Sequence, residues 1–251
     1  MTPQEMTSKF RDAFGLTGSP IAVIYRDEPA PDAWVPPPAS PQKHVCALAC
    51  LRAIADQGRW ACIDAEHSGC FGASRYLGFS DQLREGFEFF LSTGIPGKLE
   101  GERYKKTPEL VKEFLANSPT LPATGKYCIL APLEELPSFD GVEAVVFLVT
   151  PDQLSGLFTL CNFLSADHNA VISPFGAGCG TIIAEPRIQA LSDNPKGVIG
   201  MFDPSARPCV GADMLSFSAP TKLITEMAEN IDESFVITET WAKVKRRIGK
   251  G

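Results

Sequence analysis

The sequence predicts an α/β or α+β fold, a mixed sheet flanked by helices in a single compact unit spanning residues 1–251. Three observations carry this. Short apolar segments of strand length alternate with capped segments of helical period. One strand segment, Ala144-Val-Val-Phe-Leu-Val149, is apolar throughout, as a strand covered on both faces would be. No repeat or clear linker divides the 251 residues, and a hydrophobic content of 44% suffices for a sizeable core.

Taken in order, residues 3–14 read as a short helix and Pro20 to Arg26 as a buried strand. Pro29 to Pro41 holds Pro36-Pro37-Pro38 and so cannot be regular helix or central strand; an extended surface loop is expected. His44 to Gly58 reads as a helix with Val45, Leu48, Leu51, Ile54 and Ala55 on its apolar face and a glycine stop. Trp60 to Asp64 is a strand candidate, and Ser74 to Phe90 is expected to be mostly helical. Residues 93–106 are turn-rich. Thr107-Pro108-Glu109 then starts a helix, with Thr107 as cap and proline at the first position.

Lys126 to Leu130 and Glu143 to Val149 follow as strands, and Pro151-Asp152 opens a helix through Leu164. Val171-Ile172, Gly197 to Phe202 and Met214 to Phe217 are further strand candidates. Pro220 to Asn230 and Glu233 to Arg247 close the chain as helices, with the basic run Lys243 to Arg247 read as a solvated helix end.

The formal charge of −7 and pI near 5.1 argue against nucleic acid or an anionic membrane as main partner. No apolar run is long enough to span a bilayer, and the polar start Met1-Thr-Pro-Gln-Glu-Met lacks a signal core, so a cytoplasmic protein is expected. In a reducing cytosol the eight cysteines are thiols, and clustered thiols there point to metal or catalysis more than to disulfides.

Two cysteines stand apart because glycine flanks them: Gly69-Cys70-Phe71-Gly72 and Gly178-Cys179-Gly180. Apolar β-formers, Val171-Ile172 and Thr181-Ile182-Ile183, bracket the second, which suggests strand, sharp loop, then strand or helix. Glycine lets a ligand approach the main chain, and successive N–H groups can converge on an anion or on a cluster's sulfides. Gly69 and Gly178 are therefore candidate cofactor-binding positions. A tight turn around a buried thiol accounts for one such loop alone; the recurrence of the device favours a site.

Cys46 and Cys50 lie four apart on the expected 44–58 helix, facing one way, and one of the two belongs to the core. Cys62 and Cys128 alternate within apolar strands, and Cys161 lies on an apolar helix; all three read as packing. Cys209 follows Pro208 in a loop with no further indication. Soft thiolates select iron–sulfur clusters, zinc or copper(I). No CxxC pair is present, so zinc-ribbon and ferredoxin-type runs are absent. Ligands at Cys46, Cys70 and Cys179 would form a site assembled by the fold, with one coordination position open.

His67, three residues before Cys70, is a candidate ligand, acid/base or helix-start cap. His168 reads as part of a turn and His44 as an exposed helix start. Asp203 and Arg207 could pair structurally or could anchor an anionic substrate. No dinucleotide, Walker, GxSxG or HExxH pattern occurs, which leaves little room for nucleotide-fold or hydrolase readings.

The combination of Cys46, Gly-Cys70-Phe-Gly-Ala with Leu77-Gly78-Phe79, Pro151-Asp152-Gln153-Leu154, Phe175-Gly-Ala-Gly-Cys179, and Met227, Ser234-Phe235 and Trp241 resembles the uncharacterised family called domain of unknown function 169. The resemblance runs from about Ile21 to Arg247. Cys46, Cys70 and Cys179 fall on the family's cysteine positions; the other five cysteines do not. Members often carry Cys-x-Gly-Gly after the second cysteine, where this chain has Ala73. The resemblance implies no reaction, but it supports treating the three cysteines as one site.

The expectation is an iron–sulfur protein in which Cys46, Cys70 and Cys179 bind a [4Fe–4S] cluster with one open iron. It would act on a small-molecule substrate by redox or Lewis-acid chemistry, with an electron-donor protein as a further partner. His67 and Arg207 are the candidate catalytic residues. Two alternatives stand beside it: a non-enzymatic sensor or carrier of a small ligand or haem, and a thiol enzyme with Cys70 or Cys179 as nucleophile and His67 as base.

Overall fold

Thr2 opens the first helix, α1 (Pro3–Phe14), with a capping box: its hydroxyl accepts the Glu5 N–H at 3.2 Å, while the Glu5 carboxylate accepts the Thr2 N–H at 2.7 Å. Gly15, in the left-handed region at φ 63°, ends the helix. The computed structural model describes residues 1–40 and 45–248. The expected helix start at His44 lies outside the described residues.

β1 (Ile21–Arg26) follows, then the proline-rich loop, a 3₁₀ turn over Ala47–Cys50 and α2 (Leu51–Gln57). β2 (Ala61–Ile63), α3 (Phe71–Tyr76), α4 (Phe87–Phe90), α5 (Pro108–Ala116), β3 (Tyr127–Pro132), β4 (Val142–Val149) and α6 (Pro151–Cys161) come next. The second half holds β5 (Val171–Ile172), a π-helical turn over Gly180–Ala184 that runs into α7 (Glu185–Gln189), β6 (Gly197–Gly200) and a 3₁₀ turn over Arg207–Cys209. β7 (Leu215–Pro220), α8 (Thr221–Glu229) and α9 (Glu239–Lys245) complete it.

Among the described residues the strands form one sheet in the order β2-β3-β1-β4-β7-β6-β5. Every pairing is antiparallel except β5 with β6. The fold is therefore of the α+β class, with the sheet as the middle of three layers. Period-two alternation sends neighbouring side chains to opposite cores. Ala22 and Ile24 of β1 face Phe10, Phe14, Leu157 and Trp241, whereas Ile21, Val23 and Tyr25 face Leu48, Leu51, Ile54 and Cys179. β4 is buried on both faces as its composition predicts, and its Phe147 stands opposite Phe217 of β7 with ring centroids 6.4 Å apart. No helix among the described residues is long and apolar enough to cross a membrane.

Three expectations need correction. The Ser74–Phe90 helix is two short pieces, because Gly78 takes φ 85° and a Cβ there would lie 2.2 Å from the Leu121 carbonyl oxygen. The Glu233–Arg247 helix breaks into 3₁₀ turns before α9, where Ser234 and Thr238 hydroxyls cap successive starts. Of the strand or helix expected after the Cys179 loop, Thr181-Ile182-Ile183 takes the helical form, π-helical and packed against the second core. Cys46 precedes its helix in extended backbone, at φ −65° and ψ 125°.

Candidate functional site

Three loop-to-helix junctions on one face of the sheet carry the singled-out cysteines. Cys46 caps the Ala47–Cys50 turn, Cys70 caps α3, and Cys179 lies at the start of the π-helical turn. Helix starts leave N–H groups unpaired, and those groups favour negative sulfur. At α3 this is direct: the Ala73 N–H donates to Cys70 Sγ at 3.3 Å. π-helical turns are rare and recur at functional sites.

Backbone contacts lock the junctions together. The Val45 N–H donates to the Gly69 carbonyl at 3.2 Å, so the residues preceding Cys46 and Cys70 are hydrogen-bonded partners. Gly69, at φ 75°, stands where a Cβ would lie 2.4 Å from the Val45 carbonyl oxygen. At Gly178 a Cβ would lie 2.7 Å from both Leu48 Cδ1 and Ala206 Cβ, and at Gly180 it would lie 3.0 Å from the Tyr76 ring. The glycines beside the cysteines are thus needed, but for the close approach of the chain's own segments. The space expected for a ligand at Gly69 and Gly178 is filled by protein.

The 201–214 loop completes the site and brings a residue that sequence reasoning left unassigned. The thiols of Cys209 and Cys46 perturb each other's protonation. Asp203, buried, accepts the Gly178 N–H at 3.2 Å and the Ser205 N–H and hydroxyl at 3.0 and 2.9 Å. The same loop holds Met201 in the left-handed region at φ 68°, fully buried, with its carbonyl accepting from Arg207. A β-unbranched residue held there stores strain, which recurs at functional sites.

Electrostatics bind these groups into one unit. Burial pushes the Cys179 thiol well up, and negative charge on Cys70, Cys46 and Asp203 would push it further. Burial also raises Cys70, opposed by the N–H groups of Ala73, Gly72 and Ala47 and reinforced by Cys46. Cys50 is pushed up to about 12 by burial, with Cys46 adding to the rise. Within the Cys46–Cys209 pair the interaction of the two thiols raises Cys46 and lowers Cys209, the less enclosed of the two. Burial and the nearby Cys179 raise Tyr76 to about 12.

The other expected site residues fall elsewhere in function or place. Arg207 is near the site, but its guanidinium donates to the carbonyls of Met201, Gly211, Ala212 and Met214, which makes it the clamp of the loop. His67 points Nδ1 at the Asp64 carboxylate, 3.2 Å away, inside a turn that Asp64 also caps through the Glu66 and His67 N–H groups. Cys62, Cys128 and Cys161 are buried packing residues as expected. The sequence signal for Asp203 was its place three residues after the end of β6, beside Pro204; for Cys209 there was none.

No three His, Cys, Asp or Glu side chains among the described residues are placed to hold a single metal ion. A groove of about 690 Å³ lined by Arg26, Trp34, Arg59 and Trp60 includes none of the cysteines. Neither a curated protein nor a solved structure matches the chain. The model of the family domain of unknown function 169, described as uncharacterised ArCR, matches residues 9–230, and on that match the chain belongs to this family.

Proposed function

We propose that the chain is an iron–sulfur protein in which Cys46, Cys70 and Cys179 hold a [4Fe–4S] cluster with one iron open to a small-molecule substrate. The observation that carries this reading is that thiols from three junctions distant in sequence, each at a helix start, are electrostatic neighbours, with buried Asp203 bonded to the Gly178 N–H beside Cys179. Each thiolate of such a cluster binds a different iron, so the sulfurs stand farther apart than ligands of one ion do. Cys46, Cys70 and Cys179 also act on one another electrostatically, which supports treating them as one set.

Burial raises the Cys70 and Cys179 thiols, with negative charge on neighbouring cysteines adding to the rise, so binding of a cluster there would release their protons. When bound, the cluster supplies an electron-transfer couple and an iron able to polarise a substrate oxygen or sulfur. The chain's own contribution is enclosure and positioning. The Ala73 N–H stabilises negative charge on Cys70, while Asp203 and Arg207 fix the loops that carry Cys179 and Cys209. Phe175 and Phe202, both about half exposed, flank these loops and offer apolar contact to a substrate or to an electron-donor protein. Eight free thiols suit a reducing, cytoplasmic setting.

Anaerobic reconstitution tests this reading. The expected result is a broad visible absorbance with about four iron and four sulfide per folded chain. Folded protein that takes up neither iron nor sulfide would overturn it.

A further inference from the structure

We infer that the groove lined by Arg26, Asp32, Trp34, Arg59 and Trp60 binds a small anion that carries a planar aromatic ring. At about 690 Å³ the groove has the size of a small-molecule site, and it includes none of the cysteines. The inference therefore does not rest on the cluster reading. Charge is the first observation behind it. Two arginines and one aspartate line the groove, which makes it cationic in a chain of formal charge −7. Neither guanidinium forms an ion pair or a hydrogen bond with a described residue. Each can therefore offer its planar fork of donors to a carboxylate or phosphate.

The aromatic walls are the second observation. Trp34 and Trp60 are both half-buried, and backbone bonds tie them together at the outer edge of the sheet. The Trp34 N–H donates to the Trp60 carbonyl at 2.8 Å, and the Cys62 N–H donates to the Trp34 carbonyl at 2.9 Å. These bonds lay Trp34 along β2 in a parallel bridge to Ala61. Trp60 is fixed by its side chain as well, since its indole N–H donates to the Glu135 carboxylate at 2.6 Å. Gly58 lets that carboxylate come close, because a Cβ there would lie 2.8 Å from Glu135 Oε1. The walls are thus set in place, which lowers the ordering cost of stacking a planar ring on them. Asp32 adds an acceptor at the rim for a hydroxyl or amino group on the ligand.

Titration calorimetry on the full chain tests the inference with two aromatic anions, adenosine 5′-monophosphate and 2-naphthoate. Their uncharged counterparts, adenosine and 2-naphthalenemethanol, and inorganic phosphate serve as controls. At least one aromatic anion is expected to bind, about tenfold or more tighter than its uncharged counterpart. Binding of the nucleotide alone assigns the ligand to phosphate esters, and binding of naphthoate alone assigns it to aryl acids. Arg26→Gln and Arg59→Gln, with circular dichroism confirming the fold, should each weaken that anion by about tenfold. Four results overturn the inference: no binding of either anion at millimolar concentration, equal binding of the uncharged counterpart, inorganic phosphate binding as tightly as the aromatic anion, or unchanged affinity in both folded arginine variants.

Discussion

The Gly178 N–H donates to the buried carboxylate of Asp203 at 3.2 Å, one residue before Cys179. This bond ties the Cys179 junction to the loop that carries Cys209, and Ser205 holds the carboxylate from the other side. Asp203→Ala leaves the Gly178 N–H without its partner in a buried setting, at a cost of roughly 1–3 kcal/mol. Urea unfolding is expected to show that loss. Asp203→Asn keeps an acceptor and should cost less, so equal stability of the Ala variant and the natural chain would argue against the anchor.

Gly178→Ala forces a methyl group to within 2.7 Å of Leu48 Cδ1 and Ala206 Cβ. Overpacking of this kind costs roughly 1–3 kcal/mol. Gly176→Ala is the matched control, since its nearest neighbour, Thr181 Cγ2, would be at an ordinary 3.5 Å. Thermal melts of the two variants should separate clearly, with only Gly178→Ala destabilised. Matching melts would mean that the junction yields without cost.

Much of this architecture was legible in the sequence, and the lapses share a cause. Thr107-Pro108 and Pro151-Asp152 mark helix starts through local chemistry alone, and α5 and α6 begin where those pairs predict. The sheet order was not legible, because β1 pairs with β3 and β4 over contacts distant in sequence. Cys70 and Cys179 stood out because close approach of backbone segments demands glycine on either side. The partners of that approach, Val45, Leu48 and Ala206, are ordinary residues with no sequence mark. Cys209 escaped notice for the same reason: the thiol that perturbs it, Cys46, is distant in sequence.

Buried thiols make the fold sensitive to alkali. Burial raises Cys128 and Cys50 from 9.0 to about 12 and Cys161 from 9.0 to about 11. The folded state thus keeps protons that the unfolded chain has released, so stability is full below pH 9 and falls as pH rises toward 12. Denaturant midpoints measured on the metal-free chain should decline steadily through this window. Cys128→Ala, which removes one fully buried titrating group, should flatten the decline even though it costs some stability at neutral pH; an unchanged slope would contradict the assignment.

Arg187 anchors the helix that continues from Cys179. It is 2% exposed, and its guanidinium donates to Glu143, to the Tyr25 hydroxyl at 3.3 Å and to the Pro122 carbonyl at 2.9 Å, while stacking 4.0 Å from the Tyr25 ring centroid. Arg187→Ala strands Glu143 and removes three hydrogen bonds, a loss on the scale of a broken buried ion pair, roughly 3–5 kcal/mol. Arg187→Lys keeps the charge but not the planar fork and should recover only part of it. Chemical denaturation of the three proteins checks the order; a lysine variant as stable as the natural chain would show that charge alone matters.

The most direct test of the cluster site is iron per folded chain across single cysteine-to-serine variants, with circular dichroism confirming the fold. Serine is a poor ligand for soft iron, so Cys70→Ser, Cys179→Ser and Cys46→Ser should each lose most of their iron. Cys62→Ser and Cys161→Ser, changes to buried packing residues, should keep full iron in whatever folds. Cys50, whose thiol donates to the Ala47 carbonyl at 3.1 Å, should also be dispensable. Full iron content in a folded Cys70→Ser or Cys179→Ser protein would contradict the site, and loss in Cys50→Ser with retention in Cys46→Ser would move the first ligand to Cys50.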